Sequence, residues 1–246
     1  VIIIAVHVDL VLVTYNSRRF LPDFLDSLKR STNIPYHLIV IDNASTDQTS
    51  SYLNRVQFKD SFYHRMRLRF NARNIGVAKA WNLGINTCTG TYVVLVNPDI
   101  KFEPNWLEQM VQCAESHPNS GVVGAKILDF NQVIDHAGFV NGVVLGRGEK
   151  NDPARYNQIM EVDGIHGCCF LVKRQILQTI GNFDERFFIY AEEDDFCIRV
   201  KQAGYQVLYC PATICHYGSG SDIPLRKRHE LHHESLKKFN EKWGLK

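Results

Sequence analysis

Several things are missing from this chain of 246 residues. Net charge is nearly absent: 28 Lys and Arg against 26 Asp and Glu leave +2 with His neutral, too little to make a nucleic-acid polyanion the main partner. No apolar run reaches the roughly 20 residues of a bilayer span. The opening Val1 to Val6 is apolar but is broken by His7 and Asp9. It lacks the basic start and small-residue cleavage site of a signal peptide, and reads as leading into a buried strand. The chain starts without Met, as a piece of a longer protein or one carrying added residues would. Its seven cysteines, Cys88, Cys113, Cys168, Cys169, Cys197, Cys210 and Cys215, are odd in number and scattered, with no CxxC pair. That excludes a disulfide framework and a cysteine zinc site and fits a reducing, cytoplasmic compartment. There is no GxGxxG after the first apolar run and no GxxxxGK[ST], which weakens dinucleotide-oxidoreductase and P-loop readings.

What is present is a globular composition, 45% hydrophobic, 22% charged and 11% aromatic. At this length folding buries about 70–75% of the unfolded surface, so neither metal nor disulfide is needed for stability. In the first half, short apolar runs ending in polar turns alternate with helix-period segments, the pattern of a mainly parallel sheet covered by helices. Asp9 to Thr14, His37 to Ile41 and the fully apolar Tyr92 to Val96 read as strands. Met66, Leu68 and Phe70 alternate with Arg67 and Arg69 as in a half-exposed strand. Phe20, Leu21, Phe24, Leu25 and Leu28 mark a helix entered near Pro22. Turn formers from Asp42 to Asp47 should open a second helix, and a third runs from about Val77 to Asn86. After a helix carrying Trp106, Leu107, Met110, Val111 and Ala114, glycine and valine between Gly121 and Gly148 favour strands or hairpins. An apolar run, Gly167 to Val172, follows. Glu192-Glu193-Asp194-Asp195 opens a helix that Gly204 closes, and Leu231, Leu236, Phe239 and Trp243 line a last helix with a basic, His-rich opposite face.

Three strand ends carry polar groups: Thr14-Tyr15-Asn16, Asp42-Asn43 and Asn97-Pro98-Asp99. In open α/β sheets that edge binds ligands, although each group alone is explained as turn chemistry. Asp99 could hold a hard divalent cation bridging to a diphosphate, with His216 at a strand end as a second ligand. The four consecutive acids repel one another, relieved in part by the helix N-terminus beneath them. Phe187 to Tyr190 before them and Phe196 after place part of the cluster against an apolar wall, where burial raises a carboxyl pKa towards the range useful to a general base. Glu192 and Asp195 share a helix face; Glu193 points elsewhere.

In order, the segments VTYNS, VIDNASTD, NIGVAKAWNLGI, VLVNPDI, GCCFLVKR, GNFDERFFIYAEEDDFCIRV and ICHYGSGS resemble family 2 inverting glycosyltransferases of the GT-A fold, above all the bacterial rhamnosyl- and galactofuranosyl-transferase branch. The resemblance runs from about Asp9 to Ser221. It implies a Rossmann-like, mainly parallel sheet flanked by helices, with a smaller mixed sheet on the acceptor side and a C-terminal amphipathic helix. One domain over 1–246 is expected: a nucleotide-binding half at 1–120, an acceptor and catalytic half at 121–222 and the helix at 223–246. It also implies that Thr14, Tyr15 and Asn16 lie along the donor nucleotide, that Asp42 reaches its base or ribose, and that Arg73, Asn74, Gly76 and Asn82 line nucleotide and diphosphate. Asn97-Pro98-Asp99 stands where the family has DxD, leaving Asp99 as the main carboxylate for Mg²⁺ or Mn²⁺, with His216 completing the site. Glu193 matches the usual base, with Glu192 and Asp195 as alternatives. Gly167, Cys168 and Cys169 would border the donor sugar, and Asp135 and His136 would face the acceptor.

The activity so implied moves a sugar from a UDP-, dTDP- or GDP-sugar to a glycan or lipid-linked hydroxyl with inversion, in bacterial cell-surface polysaccharide synthesis. The alternative is a glycan- or nucleotide-binding module that keeps the fold without the reaction, motivated by Asn97 and Glu193 at positions where the family has Asp. A nucleotidyltransferase is disfavoured by the missing glycine-rich basic loop. The last helix, with Arg226, Lys227, Arg228, Lys237, Lys238 and Lys242, can rest peripherally on an anionic membrane face, but Glu230, Glu234 and Glu241 dilute its charge and favour packing onto the domain.

Overall fold

The computed structural model describes residues 7–63, 66–152, 154–218 and 223–245; the lead-in Val1 to Val6 and the Ser219-Gly220-Ser221 part of the last motif lie outside them. The chain alternates as the periodicity predicts: β1 (Val8–Thr14), α1 (Leu21–Ser31), β2 (Tyr36–Asp42), α2 (Thr49–Lys59), β3 (Arg67–Phe70), α3 (Val77–Ile85) and β4 (Tyr92–Val96). A short β5 (Ile100–Phe102) and α4 (Trp106–Ser116) follow. The glycine-rich stretch becomes β6 (Ser120–Leu128), β7 (Ile134–His136), β8 (Phe139–Val140) and β9 (Val143–Val144). Then come β10 (Met160–Glu161), β11 (Cys169–Lys173), α5 (Arg174–Ile180), α6 (Glu192–Gln202), β12 (Gln206–His216) and α7 (Leu225–Trp243).

Ten strands form one sheet with the path β10-β12-β6-β11-β4-β1-β2-β3, to which β5 and β7 attach at β12 and β6. The pairs β1–β2, β1–β4, β2–β3 and β6–β12 are parallel, whereas β11 runs antiparallel between β4 and β6. The acceptor-side strands therefore extend the central sheet, and the small separate sheet is the antiparallel β8–β9 pair.

Every residue of β1, β4 and β6 is buried, because helices cover both faces. Alternation along β1 sends Val8, Leu10 and Leu12 to one core, with Phe24 and Leu28 of α1 and Trp106 and Met110 of α4. Val11 and Val13 go to the other, with Trp81 of α3, Ile176 of α5 and Phe196 of α6. From β1 the chain goes to β2 and β3 on one side and to β4 on the other, so the sheet order reverses between β1 and β4. At such a point loops diverge and leave a crevice beyond the strand C-termini.

Three local expectations need correction. The helix after Asp42 starts only at Thr49, once Gln48 has taken a left-handed φ of 71°; Asp47 accepts from Thr49 N at 3.1 Å, so the polar stretch is a loop with its own side-chain bonds. On β3, Phe70 is exposed along with Arg67 and Arg69, because β3 is the sheet edge. Leu236 of α7 is 40% exposed. The packed face runs instead through Ser235, whose Oγ donates to Ile189 O at 2.7 Å, then Phe239 against Phe187 and Trp243. Positions 235, 239 and 243 are about one turn apart and drift round the helix by about 40° at each step, which puts Leu236 at the edge of that face, just beyond Trp243 and about 100° from Ser235. Among the described residues no helix is long and apolar enough to cross a membrane. All seven cysteines are free and buried.

Candidate active site

The crevice beyond β1 and β4 is a cavity of about 310 Å³. It is lined by Tyr15, Asn43, Asn74 and Gly76 on the nucleotide side, by Asn97, Asp99, His166 and His216 on the floor, and by Tyr190 and Arg228 on the far wall. Of the residues expected along a donor, Tyr15, Asn74, Gly76 and Asn97 are here, with Asp99 and His216. A second cavity, about 630 Å³, shares His166 and Tyr190 with the first and adds His136, Phe139, Arg147, Asp163, Glu193 and Asp194. Tyr190 and Ala191 both hold positive φ, 72° and 67°. That strain, of order 1–3 kcal/mol per residue, aims the first turn of α6 at the second cavity.

Other expected residues shape the walls from behind. Asp42 is 1% exposed, and its carboxylate accepts from Thr14 Oγ1 at 2.7 Å, Ser45 N at 3.0 Å, Ser45 Oγ at 2.5 Å and Ser50 Oγ at 3.0 Å. With those four partners it pins the β1 and β2 ends and lines neither cavity; the buried Thr14 is one of its pins. Asn16, at φ 50°, accepts from Thr46 N at 2.8 Å and ties the two loops. Asn82 donates to Phe183 O at 2.9 Å and accepts from Phe183 N at 3.0 Å, which fixes α3 to the 183 loop and keeps it out of both cavities. Arg73 is exposed and lines neither; the guanidinium in the first cavity belongs to Arg228, whose Nε is shut off from solvent without a hydrogen-bond partner. Nothing in periodicity marks Arg228 out among the basic residues of α7, because its role depends on where the helix docks.

Gly76, at φ 88°, lies so close to the Phe188 carbonyl that a Cβ would meet its oxygen at 2.6 Å. Its N donates to Asn74 Oδ1 at 2.9 Å, while Asn43 Nδ2 donates to its carbonyl at 3.1 Å. Asn43 is a cavity residue that the motif reading passed over as turn chemistry.

Asp99 Oδ2 and His216 Nε2 are 3.2 Å apart. Two ligands at about 2.1 Å from an octahedral cation are separated by about 3.0 Å, so this pair fits a divalent ion between them. The other ring nitrogen, His216 Nδ1, is buried without a hydrogen bond and lies 4.0 Å from Asp135 Oδ2, its nearest carboxylate on that side. Asp135 thus turns to His216 and lines neither cavity, in contrast to His136, which does line the second. His166 has its basicity lowered by burial to about 3, so it is neutral. Its Nδ1 accepts from Cys168 N at 3.1 Å, which puts its hydrogen on Nε2 and makes it a donor to a ligand.

The four acids of α6 separate cleanly. Asp195 is 0% exposed and bound to Arg199 Nε at 2.9 Å, Lys242 Nζ at 2.6 Å and Trp243 Nε1 at 3.1 Å; it anchors α7. Glu192 is buried and lines neither cavity; its Oε2, like that of Glu193, is buried with no partner, and burial, then the Glu193 charge, push its carboxyl well above the usual range. Glu193 accepts from Gly167 N at 3.2 Å through Oε1, while Oε2 is buried with no partner. A Cβ on residue 167 would stand 2.8 Å from Glu193 Oε1, so the glycine serves the carboxylate; Cys168 and Cys169 are wholly buried core residues. Burial first, then the charge of Asp194, push Glu193 up to about 7. Asp194 also lines the second cavity and was not singled out from sequence.

An acid raised near neutrality and lining a cavity next to a second crevice marks a candidate functional site. The sequence profile described as Glycosyl transferase family 2 matches residues 9–181. The chain belongs to this family. An uncharacterised protein of Sinorhizobium fredii is 31% identical over 199 residues, covering 76% of this chain and 22% of that protein. An N-acetylglucosaminyl-diphospho-decaprenol L-rhamnosyltransferase of Mycobacterium tuberculosis is 28% identical, covering 86% of this chain and 76% of that one. Among solved structures, GalNAc-T7 with UDP, GalNAc and Mn²⁺ superposes with a TM-score of 0.70 at 16% identity, over 87% of this chain and 44% of that one. A mannosyltransferase of Pyrobaculum calidifontis with GDP-Man and Mn²⁺ gives 0.66 at 19%, over 91% and 59%. The family 2 chain thus has the GT-A fold and spans about a fifth of the first of these relatives and under half of the first of these structures.

Proposed function

We propose that the chain transfers a glycosyl group from a nucleoside diphosphate sugar in the first cavity to a hydroxyl of a glycan or lipid-linked acceptor in the second, with Glu193 as general base. The observation that carries this is Glu193 itself: Glu192 and Glu193 each bury an Oε2 without a partner, but of the two only Glu193 lines a cavity. A binding module has no use for a buried, unpaired carboxylate oxygen tuned to about 7, which costs free energy in the resting protein.

In this reading Tyr15, Asn43 and Asn74 hold the nucleoside, and Arg228 and the His166 Nε2 hydrogen meet the diphosphate charge. Asp99 and His216 would hold Mg²⁺ or Mn²⁺, whose chemistry here is to neutralise a departing diphosphate. Glu193 takes the proton of the acceptor hydroxyl through Oε2 as that oxygen attacks the anomeric carbon, while Gly167 N holds Oε1 in place. One attack from the face opposite the leaving group inverts the anomeric centre. The lipid-linked acceptor, and with it a place in cell-surface polysaccharide synthesis, draws support from the mycobacterial relative, whose name specifies a diphospho-decaprenol glycan. The basic residues of α7 argue less for a membrane surface, since Arg226, Lys227, Lys237 and Lys238 pair with Glu230, Glu241 and Glu234 along the helix.

The test is donor binding and turnover with UDP-, dTDP- and GDP-sugars in Mg²⁺ or Mn²⁺. Glu193→Gln is expected to keep donor affinity and lose turnover. Failure of the protein to bind any nucleoside diphosphate under those conditions overturns the reading.

A further inference from the structure

At the opposite end of the sheet, where β1 and β2 begin, three side chains converge that the transfer reaction does not use. Asp9 of β1 stands directly beside His37 of β2 in the parallel register. His7 precedes Asp9 by two residues, so it emerges on the same face. His7 Nε2 is 2.8 Å from His37 Nδ1, His37 Nδ1 is 3.1 Å from Asp9 Oδ1, and His7 Nε2 is 3.7 Å from the same oxygen. Asp9 is 1% exposed. Its other oxygen accepts from Thr89 N at 2.7 Å and Gly90 N at 2.6 Å, which fixes the carboxylate with Oδ1 turned to the two rings. The imidazoles are partly exposed and stand edge to face.

Proton bookkeeping leaves this triangle incomplete. If His37 Nδ1 carries a hydrogen, Asp9 and His7 compete for it. If it does not, His7 can donate to it, but its lone pair then faces the carboxylate. One proton joins two of three converging ligand atoms, whereas a cation joins all three. Tetrahedral ligands 2.0–2.1 Å from a zinc-type ion are separated by about 3.3 Å, and edges of 2.8, 3.1 and 3.7 Å bracket that value. Two imidazoles and one carboxylate suit a borderline transition cation better than Mg²⁺. The fixed Asp9 Oδ2 supplies the outer-shell support that such sites need.

We propose that His7, Asp9 and His37 form a second divalent-cation site, of the Zn²⁺ class, that clips the start of β1 to β2. Its fourth position is open to water on the exposed side. It lies at the far end of β1 from the cavities and stands whether or not the transfer reading does.

The test uses Zn²⁺ alone as probe on the full chain carrying Asp99→Asn and His216→Ala, which silences the cation pair of the first cavity. Calorimetry is expected to show one Zn²⁺ bound and a rise in Tm with added zinc, because ligand binding to the folded state raises stability. Adding His37→Ala is expected to weaken zinc binding about tenfold or more and to abolish the Tm rise. His7→Asn, at the partly exposed corner, should do the same without disturbing the buried Asp9, and serves if His37→Ala does not fold. Co²⁺ in place of Zn²⁺ should give the visible absorption of a low-coordinate imidazole site, lost in either variant. No zinc bound by the silenced protein, or zinc affinity unchanged by the His7 and His37 substitutions, overturns the proposal.

Discussion

Glu193 and Asp195 stand two residues apart in the first turn of one helix and have opposite fates. Asp195 is closed off and holds three donors from Arg199, Lys242 and Trp243. Glu193 accepts from the backbone N–H of Gly167 and keeps one buried oxygen without a partner. The same contrast separates Asp42, with four bonds to loop hydroxyls and a backbone N–H, from the Asp99–His216 pair that opens into the first cavity. A carboxylate surrounded by its own donors fixes a loop or helix; one that lines a cavity can meet a ligand.

The strongest way to break this contrast is at the two acids of α6. Glu193→Gln should lower turnover by about 10²–10⁴-fold, the usual span for a general base, with the nucleoside diphosphate Kd within about threefold of the parent; initial rates and calorimetry read the two. Asp195→Ala should instead cost about 3–5 kcal/mol of stability, because Lys242 and Arg199 lose a buried partner; denaturant melts check it, and a loss of turnover without loss of stability would reverse the two assignments.

The pH response sharpens the same point. Because Glu193 is raised to about 7 from an ordinary 4.5, the folded state binds more protons than the unfolded between those values, and stability falls as pH rises through that window. Glu193→Gln should therefore be as stable as the parent near pH 4.5 and more stable than it at pH 8, while parent turnover rises with pH through about 7. Equal stability of both proteins at pH 8 would show that Glu193 is not tuned by burial. A smaller effect is expected at Asn82→Ala, about 1–3 kcal/mol from the buried Phe183 backbone groups it leaves unpaired, with kcat/KM altered little. The smallest is Arg73→Ala, whose donor affinity should stay within about twofold, against a clear loss for Arg228→Ala; a larger effect at Arg73 would move the diphosphate contact back to the glycine-preceding loop.

Much of this was legible in the residues. β4 was read from an unbroken apolar run, Tyr92 to Val96, because burial on both faces leaves no polar alternation to misplace. The start of α6 followed from four acids at a helix N-terminus. The family was visible in the order of its motifs and holds. Less legible was what each polar group does inside its motif. Asp42 and Asn82 sit in motif positions associated with ligand but spend their hydrogen bonds on Ser45, Ser50, Thr14 and Phe183, and Leu236 fits a helical stripe yet faces water.

By itself the sequence determined the order of strands and helices along the chain and the set of acids from which a base could come, since these depend on local periodicity and turn chemistry; the reversal of the sheet at β1 is a matter of long-range pairing. The tertiary structure alone decided which acid lines a cavity, which arginine enters the other and which histidines meet across strands. Those outcomes depend on partners brought from 26 to 48 positions away, Gly167 to Glu193, His7 to His37 and Asp195 to Trp243, and residue spacing carries no record of contacts at that range.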